Sequence, residues 1–246
     1  MKENKYDDDI FFQKYSQMSR SQQGLAGAGE WETLRKLLPD FKDKRVLDLG
    51  CGYGWHCIYA MEHGASSVVG VDISHKMLEV AKEKTHFPQV EYKCCAIEDV
   101  EFPEESFDVI LSSLAFHYVA DYEILVKKIY RILKSGGKLV FTVEHPVFTA
   151  YGTQDWYYNE KGEILHFPVD NYYYEGKRTA VFLGEKVTKF HRTLTTYLNT
   201  LLSNGFIINH IVEPQPPENM MDIPGMQDEM RRPMMLIVSA NKKVDR

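Results

Sequence analysis

One short stretch constrains the fold of this chain more than any other feature of its sequence. Residues 46–54 read VLDLGCGYG, so a short apolar run leads directly into three alternating glycines. Glycine permits a sharp turn of the backbone and lets a ligand approach the main chain closely. The stretch therefore predicts a strand, a ligand-binding turn and a helix in succession.

The spacing of these glycines separates two classes of ligand-binding turn. The dinucleotide fingerprint G-x-G-x-x-G would require a glycine at position 55, where the chain has Trp55. Asp48 stands two residues before Gly50, and a carboxylate there would repel a pyrophosphate and attract an ammonium group. The turn thus favours a ligand with an amino group over a nicotinamide dinucleotide.

Short apolar runs alternate with helical patterns from residue 45 to residue 143. Strands are predicted at Arg45–Leu49, 67–71, Val90–Cys94, 107–112 and 138–143, and helices at 55–63, His75–Lys84 and 122–134. The last of these helices is expected to be capped by Gly136-Gly137, and an earlier helix is predicted at 30–38. A helix at 193–204 and strands at 206–212 and 234–240 complete the pattern. Such alternation is typical of a doubly wound α/β fold with a parallel sheet.

Residues 145–190, after the fifth predicted strand, interrupt this alternation. Ten aromatic side chains fall within residues 141–176, where the composition of the whole chain predicts about five. Two short apolar runs flank Lys161-Gly162, which indicates a hairpin. The segment is interpreted as a small β-rich lid over the binding site, and a packed β-appendage is the alternative.

Composition excludes several classes of protein. Apolar residues make up 44% of the chain and charged residues 26%, as in globular proteins, and the net charge of −6 does not attract nucleic acid. The four cysteines lack the paired spacing of a zinc site, so no metal is expected. No apolar run is long enough to span a membrane, and the acidic start lacks the apolar core of a signal peptide. We therefore expect a cytoplasmic protein with reduced thiols.

The stretch VLDLGCGYG resembles motif I of the class I S-adenosylmethionine (SAM)-dependent methyltransferases. Three further landmarks of that family follow in order: Asp72 after the second predicted strand, FPEESFD at 102–108, and LKSGG at 133–137 in place of the usual L-K-P-G-G. The resemblance covers roughly residues 45–143. It implies a Rossmann-like methyltransferase fold with a seven-stranded, mostly parallel sheet, SAM as cofactor and S-adenosylhomocysteine (SAH) as product.

The resemblance also implies a set of cofactor-binding residues. Asp48 would organise the ammonium group of SAM, directly or through water, and Asp72 would accept hydrogen bonds from both ribose hydroxyls. Ala96 stands where the family often has an aspartate for the adenine amino group, so the two residues that follow it would have to serve. The full expected set is Tyr15, Arg20, Asp48, Gly50, Cys51, Gly52, Asp72, Ile73, Met77, Ala96, Ile97, Glu98 and Ser113.

Two histidines are the candidates for catalysis on the acceptor side. His117 and His145 follow the fourth and fifth predicted strands, and ligands of such sheets bind beyond the carboxyl ends of the strands. A neutral histidine there would be able to take a proton from an attacking hydroxyl or amine. The alternative is that each histidine only shapes its loop. No motif specifies transfer to oxygen, nitrogen or carbon.

These features predict SAM-dependent methyl transfer, by direct in-line displacement, to a small and partly apolar or aromatic acceptor. A SAM-binding sensor or partner protein without transfer activity is one alternative, and a NAD-type oxidoreductase is another. We expect a monomer or homodimer that binds neither nucleic acid nor membranes. Four segments are expected: an N-terminal helical flap (1–44), a SAM-binding α/β core (45–144), an aromatic-rich lid (145–190), and a C-terminal helix with closing strands (191–246).

Overall fold

The computed structural model describes residues 3–244 and places seven strands in a central sheet. Eleven strands lie within the described residues, seven of them in this sheet and four in two separate hairpins. They are β1 (Arg45–Leu49), β2 (Ser67–Asp72), β3 (Val90–Cys94), β4 (Phe107–Ser113), β5 (Leu133–Glu144), β6 (Tyr157–Tyr158), β7 (Ile164–His166), β8 (Gly176–Phe182), β9 (Glu185–His191), β10 (Phe206–Val212) and β11 (Met235–Lys242). The central sheet has the order β10-β11-β5-β4-β1-β2-β3. β11 is antiparallel to both of its neighbours, whereas β1 to β5 are parallel to one another. The predicted doubly wound, mostly parallel sheet of seven strands is confirmed.

Helices cover both faces of this sheet. The α-helices are α1 (Asp9–Ser16), α2 (Ser19–Gln22), α3 (Trp31–Leu34), α4 (Trp55–Glu62), α5 (His75–Lys84), α6 (Tyr122–Ile132), α7 (Pro146–Ala150), α8 (Leu194–Ser203) and α9 (Met226–Glu229). α3, α4 and α5 contribute to one apolar cluster, and α6 and α8 contribute to a second. None of the helices within residues 3–244 combines the length and the apolar character needed to cross a membrane.

β1 is buried on both of its faces because helices pack on each side of it. Val46 belongs to the cluster with α3 to α5, whereas Leu47 and Leu49 belong to the cluster with α6 and α8. This double cover explains why the strand reads as an apolar run broken only by Asp48. The strand order reverses between β1 and β4. A crevice for ligands is expected at such a reversal, beyond the carboxyl ends of the strands.

Two predicted helices are shorter in the structure. α6 ends at Ile132 because Leu133 is already extended and pairs with Phe107 of β4. Gly136 has a φ of 72° and bends β5 within the strand, so the expected glycine cap of the helix is wrong. The pattern at 30–38 gives α-helix only at Trp31–Leu34.

The segment between β5 and α8 contains two hairpins where the sequence predicted one. The hairpin around Lys161-Gly162 is present as β6 and β7. A longer hairpin, β8–β9, pairs seven residues of each strand. Its turn consists of Leu183 and Gly184, whose φ angles of 55° and 79° are those of a two-residue type I′ turn. That second hairpin was missed because its turn carries a glycine without the preceding Asn or Asp.

Candidate functional site

A cavity of about 700 Å³ lies at the carboxyl ends of β1, β2, β4 and β5. Its floor includes the glycine turn after β1 and Asp72 at the end of β2. Two distant segments line the opposite side, and together we call them the roof: the N-terminal residues 3–22 and the β8–β9 hairpin at 176–191. A cavity of this size is large enough for a cofactor together with a small second ligand.

The glycine turn is held in place by β2. The backbone N–H groups of Gly50 and Cys51 both donate to the carbonyl of Val71, at 2.8 and 2.9 Å. A Cβ atom on Gly50 would lie 2.4 Å from the Cβ of Ala115, so this position has no room for a side chain. A Cβ on Gly52 would meet nothing within 4 Å. The main chain at Gly52 therefore faces open space in the cavity, where a ligand can approach it.

Asp72 is fixed by two backbone donors. The N–H of Gly52 donates to Oδ2 and the N–H of Ser74 donates to Oδ1, each at 2.9 Å. Burial raises the pKa of Asp72, although these hydrogen bonds act in the opposite direction. The carboxylate is thus oriented before any ligand arrives, and its remaining lone pairs are available to hydroxyl groups in the cavity.

The N-terminal part of the roof is tied to the core through Asp7. Ser74 caps α5 by accepting from the N–H of Met77 at 3.1 Å, and its hydroxyl donates to Asp7 at 2.6 Å. Asp7 also accepts from the N–H of Lys76 at 3.1 Å. A carboxylate is favoured at a helix N-terminus because unpaired N–H groups point at it. Asp7 therefore anchors the roof at the start of α5, directly beside Asp72.

The two parts of the roof are also joined to each other. Glu3 accepts from the N–H of Thr188 at 2.9 Å, and Lys14 donates to the carbonyl of Leu183 at 3.0 Å. Phe11 is completely buried, and its ring centroid lies 5.8 Å from that of Phe182. The N-terminal segment and the hairpin consequently form one continuous cover over the cavity.

Arg20 supplies a positive charge inside the cavity. Its Nη2 donates to both carboxylate oxygens of Glu30, at 3.0 and 2.8 Å, and the Glu30 side chain is almost fully buried. A guanidinium has five N–H donors, so Arg20 keeps donors for an anionic ligand group. Tyr15 lines the same end of the cavity.

A buried polar cluster occupies the other end of the cavity. Glu144, at the end of β5, accepts from Lys189 of β9 at 2.5 Å and from Gln154 at 2.7 Å. Lys189 also donates to the side-chain oxygen of Gln154 at 2.8 Å. Burial by itself would raise the pKa of Glu144, but His117, Lys189 and Gln154 hold it below its usual value. Glu144 is therefore a carboxylate at neutral pH and a weak base.

His117 lines the cavity beside this cluster. Burial lowers the pKa of His117 to about 4, so the ring is neutral at neutral pH. Its Nδ1 accepts from the backbone N–H of Glu144 at 3.4 Å. In a neutral ring this leaves the hydrogen on Nε2, which makes Nε2 a donor. The geometry thus argues against the expected use of His117 as a proton acceptor.

Asp48 and Cys51 lie outside the residues that line the cavity. The Asp48 side chain is fully buried beneath the glycine turn, where Cys57 Sγ donates to its Oδ2 at 3.5 Å and its Oδ1 has no partner among the described residues. Burial raises the pKa of Asp48 to about 7. The Cys51 thiol points towards β2, since it would lie 3.0 Å from a Cβ on Gly70. The Asp48 side chain, expected to organise the ammonium group directly or through water, is thus not part of the cavity lining.

His145 likewise lies outside the cavity lining. The structure therefore does not place His145 where the expected catalytic role would require it. Its Nδ1 accepts from the N–H of Val147 at 3.0 Å, so the ring caps the N-terminus of α7. Its Nε2 lies 2.8 Å from a carboxylate oxygen of Glu213. Nδ1 is thus used by the cap of α7, whereas Nε2 has no hydrogen-bond partner among the described residues.

The remaining expected residues come together in the cavity. They are Tyr15, Arg20, Gly50, Gly52, Asp72, Ile73, Met77, Ala96, Ile97, Glu98, Ser113 and His117. Other polar residues that line the cavity were not expected from the sequence, including Tyr6, Tyr118, Glu144, Gln154 and Lys189. Glu144 carried the same signal as the two histidines, because it ends a parallel strand. Lys189 carried none, because the β8–β9 hairpin that presents it was not predicted.

Comparison with known proteins identifies the family of this chain. A model of the methyltransferase domain matches residues 47–141. The structure is similar to a Listeria monocytogenes chain assigned to the SAM-dependent methyltransferases, with 58% identity and a TM-score of 0.86 over 89% of this chain and 99% of that one. It is also similar to a SAM-dependent methyltransferase from Mesorhizobium loti, with 41% identity and a TM-score of 0.82 over 89% and 100% of the two chains.

A third similarity covers about half of each chain. A ubiquinone biosynthesis O-methyltransferase from Coxiella burnetii is 36% identical over 112 residues, which are 45% of this chain and 47% of that protein. The similarity to the two structural relatives, by contrast, covers 89% of this chain and nearly the whole of each of theirs. The chain therefore belongs to the class I SAM-dependent methyltransferases, and SAM is its cofactor.

Proposed function

We propose that this methyltransferase transfers the methyl group to a small acceptor with a partly apolar or aromatic body. The observation that carries the proposal is the division of the cavity. One end presents the glycine turn, Asp72 and Arg20, and the other presents aromatic walls around the pair of Glu144 and Lys189. Both ends lie under the same roof, as a reaction between two bound molecules requires.

The residues at the first end fit SAM. The Asp72 carboxylate suits the two ribose hydroxyls, and the Arg20 guanidinium suits the carboxylate of the methionine part. Ile73, Met77 and Ile97 offer apolar surface for the adenine ring. When bound, SAM supplies a methyl group already activated by the positive charge of its sulfonium.

The residues of this chain have three tasks in the transfer. The roof excludes water, which strengthens electrostatic interactions inside the cavity. Aromatic side chains such as Phe148, Phe182 and Phe190 line the acceptor end and suit an apolar ring. Holding acceptor and methyl group in line accounts for the largest share of the acceleration, up to about 7–11 kcal/mol. The Coxiella burnetii relative, named for the methylation of an oxygen in ubiquinone biosynthesis, supports an acceptor with a ring.

The test is a calorimetric titration of the protein with SAM, SAH and NAD, followed by a screen of ring-containing and linear acceptors for SAH release. We expect micromolar binding of SAM and SAH, no binding of NAD, and SAH release with ring-containing acceptors. Binding of NAD alone, or transfer only to RNA or protein, would contradict the proposal.

A variant of Asp72 tests the cofactor end separately. Asp72→Ala removes the expected partner of the ribose hydroxyls, and we expect it to weaken SAM binding by about 1.5–3 kcal/mol, the range for hydrogen bonds to a charged group. The dissociation constant from calorimetry measures this loss, with circular dichroism as the control for folding. A folded Asp72→Ala protein that binds SAM normally would remove Asp72 from the site.

A further inference from the structure

The acceptor end contains a buried ion pair that methyl transfer in general does not require. The Lys189 and Glu144 side chains are only 3% and 15% exposed. Desolvating two charges costs about as much as their attraction returns, so a buried pair is weak evidence for a role in stability. Since this pair lines a ligand cavity and is presented by a roof hairpin, a role towards the ligand is the better explanation.

One N–H donor of the Lys189 ammonium group has no acceptor among the described residues. An ammonium group has three donors. The described residues provide two acceptors, one on Glu144 and one on Gln154. The ring of Phe182 lies beside the group, with its centroid 5.5 Å from Nζ. An acceptor atom of the ligand would complete the set.

Charge balance restricts the ligand group that can enter. The charges of Lys189 and Glu144 cancel, and His117 is neutral. A carboxylate would bring a second negative charge next to Glu144, and an ammonium would bring a second positive charge next to Lys189. Burying such uncompensated charge is costly. A head group that enters without charge is favoured.

The number of lone pairs distinguishes a hydroxyl from an amine. A hydroxyl oxygen has two lone pairs, so it is able to accept from Lys189 with one and attack the methyl carbon with the other. A neutral amine nitrogen has a single lone pair, and accepting from Lys189 would occupy the electrons needed for attack. The pair therefore favours transfer to oxygen.

The hydroxyl must also lose its proton without a strong base nearby. His117 and Glu144 are both weak bases at neutral pH. An acidic hydroxyl, such as that of a phenol or an enol, is able to enter neutral and give up its proton as the oxygen attacks, when the positive sulfonium of SAM balances the negative charge that develops on the oxygen. An aliphatic alcohol is far less acidic and would remain protonated.

We propose that Lys189, held by Glu144 and Gln154, determines acceptor specificity by binding the hydroxyl oxygen of a phenol or enol. The inference rests on the proposed function and names the acceptor class for the same site. The proton leaves to bulk water, an oxygen lone pair forms the bond to the methyl carbon, and the carbon–sulfur bond breaks with its electrons remaining on sulfur. The products are a methyl ether and SAH.

The test uses three probes that share one ring and differ in the head group: para-nitrophenol, para-nitroaniline and para-nitrobenzoate. Each is titrated into the protein saturated with SAH, and binding is followed by calorimetry. We expect the phenol to bind at least about tenfold more tightly than the other two, a difference of about 1.4 kcal/mol.

Two variants and a matched control locate the effect. Lys189→Met removes the ammonium group but leaves the Glu144 carboxylate buried without a cation. The double variant Glu144→Gln with Lys189→Met removes both charges, so it lacks the ammonium group without leaving a buried unpaired charge. Both are expected to lose the preference for the phenol. Lys186→Met changes an exposed lysine on the same strand and should keep this preference.

The SAH titration separates failure of this inference from failure of the proposed function. If the wild-type protein fails to bind SAH, the proposed function is wrong, and the proposed acceptor class is then wrong as well. If SAH binds but the three probes bind equally or not at all, only the acceptor class is wrong. An unchanged preference in the folded double variant would likewise exclude Lys189 as its source.

Discussion

At the scale of single residues, two glycines of the same turn have separate roles that substitution should reveal. Gly50→Ala places a methyl group against Ala115, whereas Gly52→Ala points it into the open cavity. Because Gly52 has a φ of 51°, the change to alanine should cost about 1–2 kcal/mol of unfolding free energy in backbone strain. Gly50→Ala should cost more, since strain and a steric clash add.

The discriminating measurement is SAM binding by Gly52→Ala, alongside urea unfolding of both variants. We expect this protein to stay folded and to bind SAM at least about tenfold more weakly, because the methyl group occupies ligand space. Wild-type affinity in Gly52→Ala would show that no ligand approaches the main chain there.

Asp48 gives a prediction about pH. Burial raises its pKa in the folded protein to about 7, against 3.8 as the ordinary value. Between these values the folded state binds more protons than the unfolded state, so stability must fall as the pH rises from about 4 to about 7. Asp48→Asn removes this dependence, and its advantage in urea unfolding should be larger at about pH 8 than at about pH 5. If the unfolding free energies of the two proteins changed with pH in parallel, Asp48 would not be a buried, protonated carboxyl in the folded protein.

Single residues also show where sequence reasoning stops. His117 and His145 both follow parallel strands, and the local signal that separates them is Pro146, because proline is favoured at the first position of a helix. The difference arises from α7, which begins at Pro146 and takes His145 as its N-cap. Asp48 alternates with its buried neighbours along β1, so the pleat directs it beneath the turn instead of into the cavity.

At the scale of elements, α1 should hold the roof through one side chain. Phe11 is completely buried against the hairpin, whereas the neighbouring Ile10 is 61% exposed. Removal of a buried phenylalanine ring typically costs about 3–5 kcal/mol. Because α1 is short and peripheral, we expect Phe11→Ala to loosen the roof locally.

Limited proteolysis and SAM calorimetry test this expectation. Phe11→Ala should be cleaved faster within residues 3–22 and should bind SAM several-fold more weakly. Ile10→Ala, the matched control on the same helix, should resemble the wild type in both respects. Equal protease resistance of the two variants would mean that the N-terminal segment is not held by Phe11.

The elements also differ in how readily the sequence reveals them. β1, β2 and β4 are buried on both faces and read mainly as apolar runs, so their positions follow from local pattern. The β8–β9 hairpin has one face to solvent and depends on contacts with Phe11 and Glu3, more than 160 residues earlier in the chain. Two of the three inward positions of β9 are Lys189 and His191, so no apolar alternation marks the strand. Together with the turn that lacks Asn or Asp, this is why the hairpin and Lys189 were missed.

At the scale of the whole molecule, ligand binding should stabilise the fold by mass action. Floor and roof come from parts of the chain that are far apart in sequence, so SAH should bind only the folded state. At about one hundred times its dissociation constant, SAH should add about 2.7 kcal/mol to the unfolding free energy. For a chain of this size the thermal midpoint should rise by about 5–11 °C.

Differential scanning fluorimetry measures this shift. Asp72→Ala should show a smaller shift at the same SAH concentration, and NAD should produce none. A midpoint raised equally by NAD would contradict the preference for an amino-acid cofactor that Asp48 and the glycine spacing predicted.

The joined roof has a kinetic consequence. Since the N-terminal segment and the hairpin contact each other through Glu3, Lys14 and Phe11, one part cannot lift without disturbing the other. Entry of both substrates and escape of both products then depend on the same opening motion. Because lid opening of this kind limits the turnover of many enzymes, we expect turnover of this one to slow in viscous solvent.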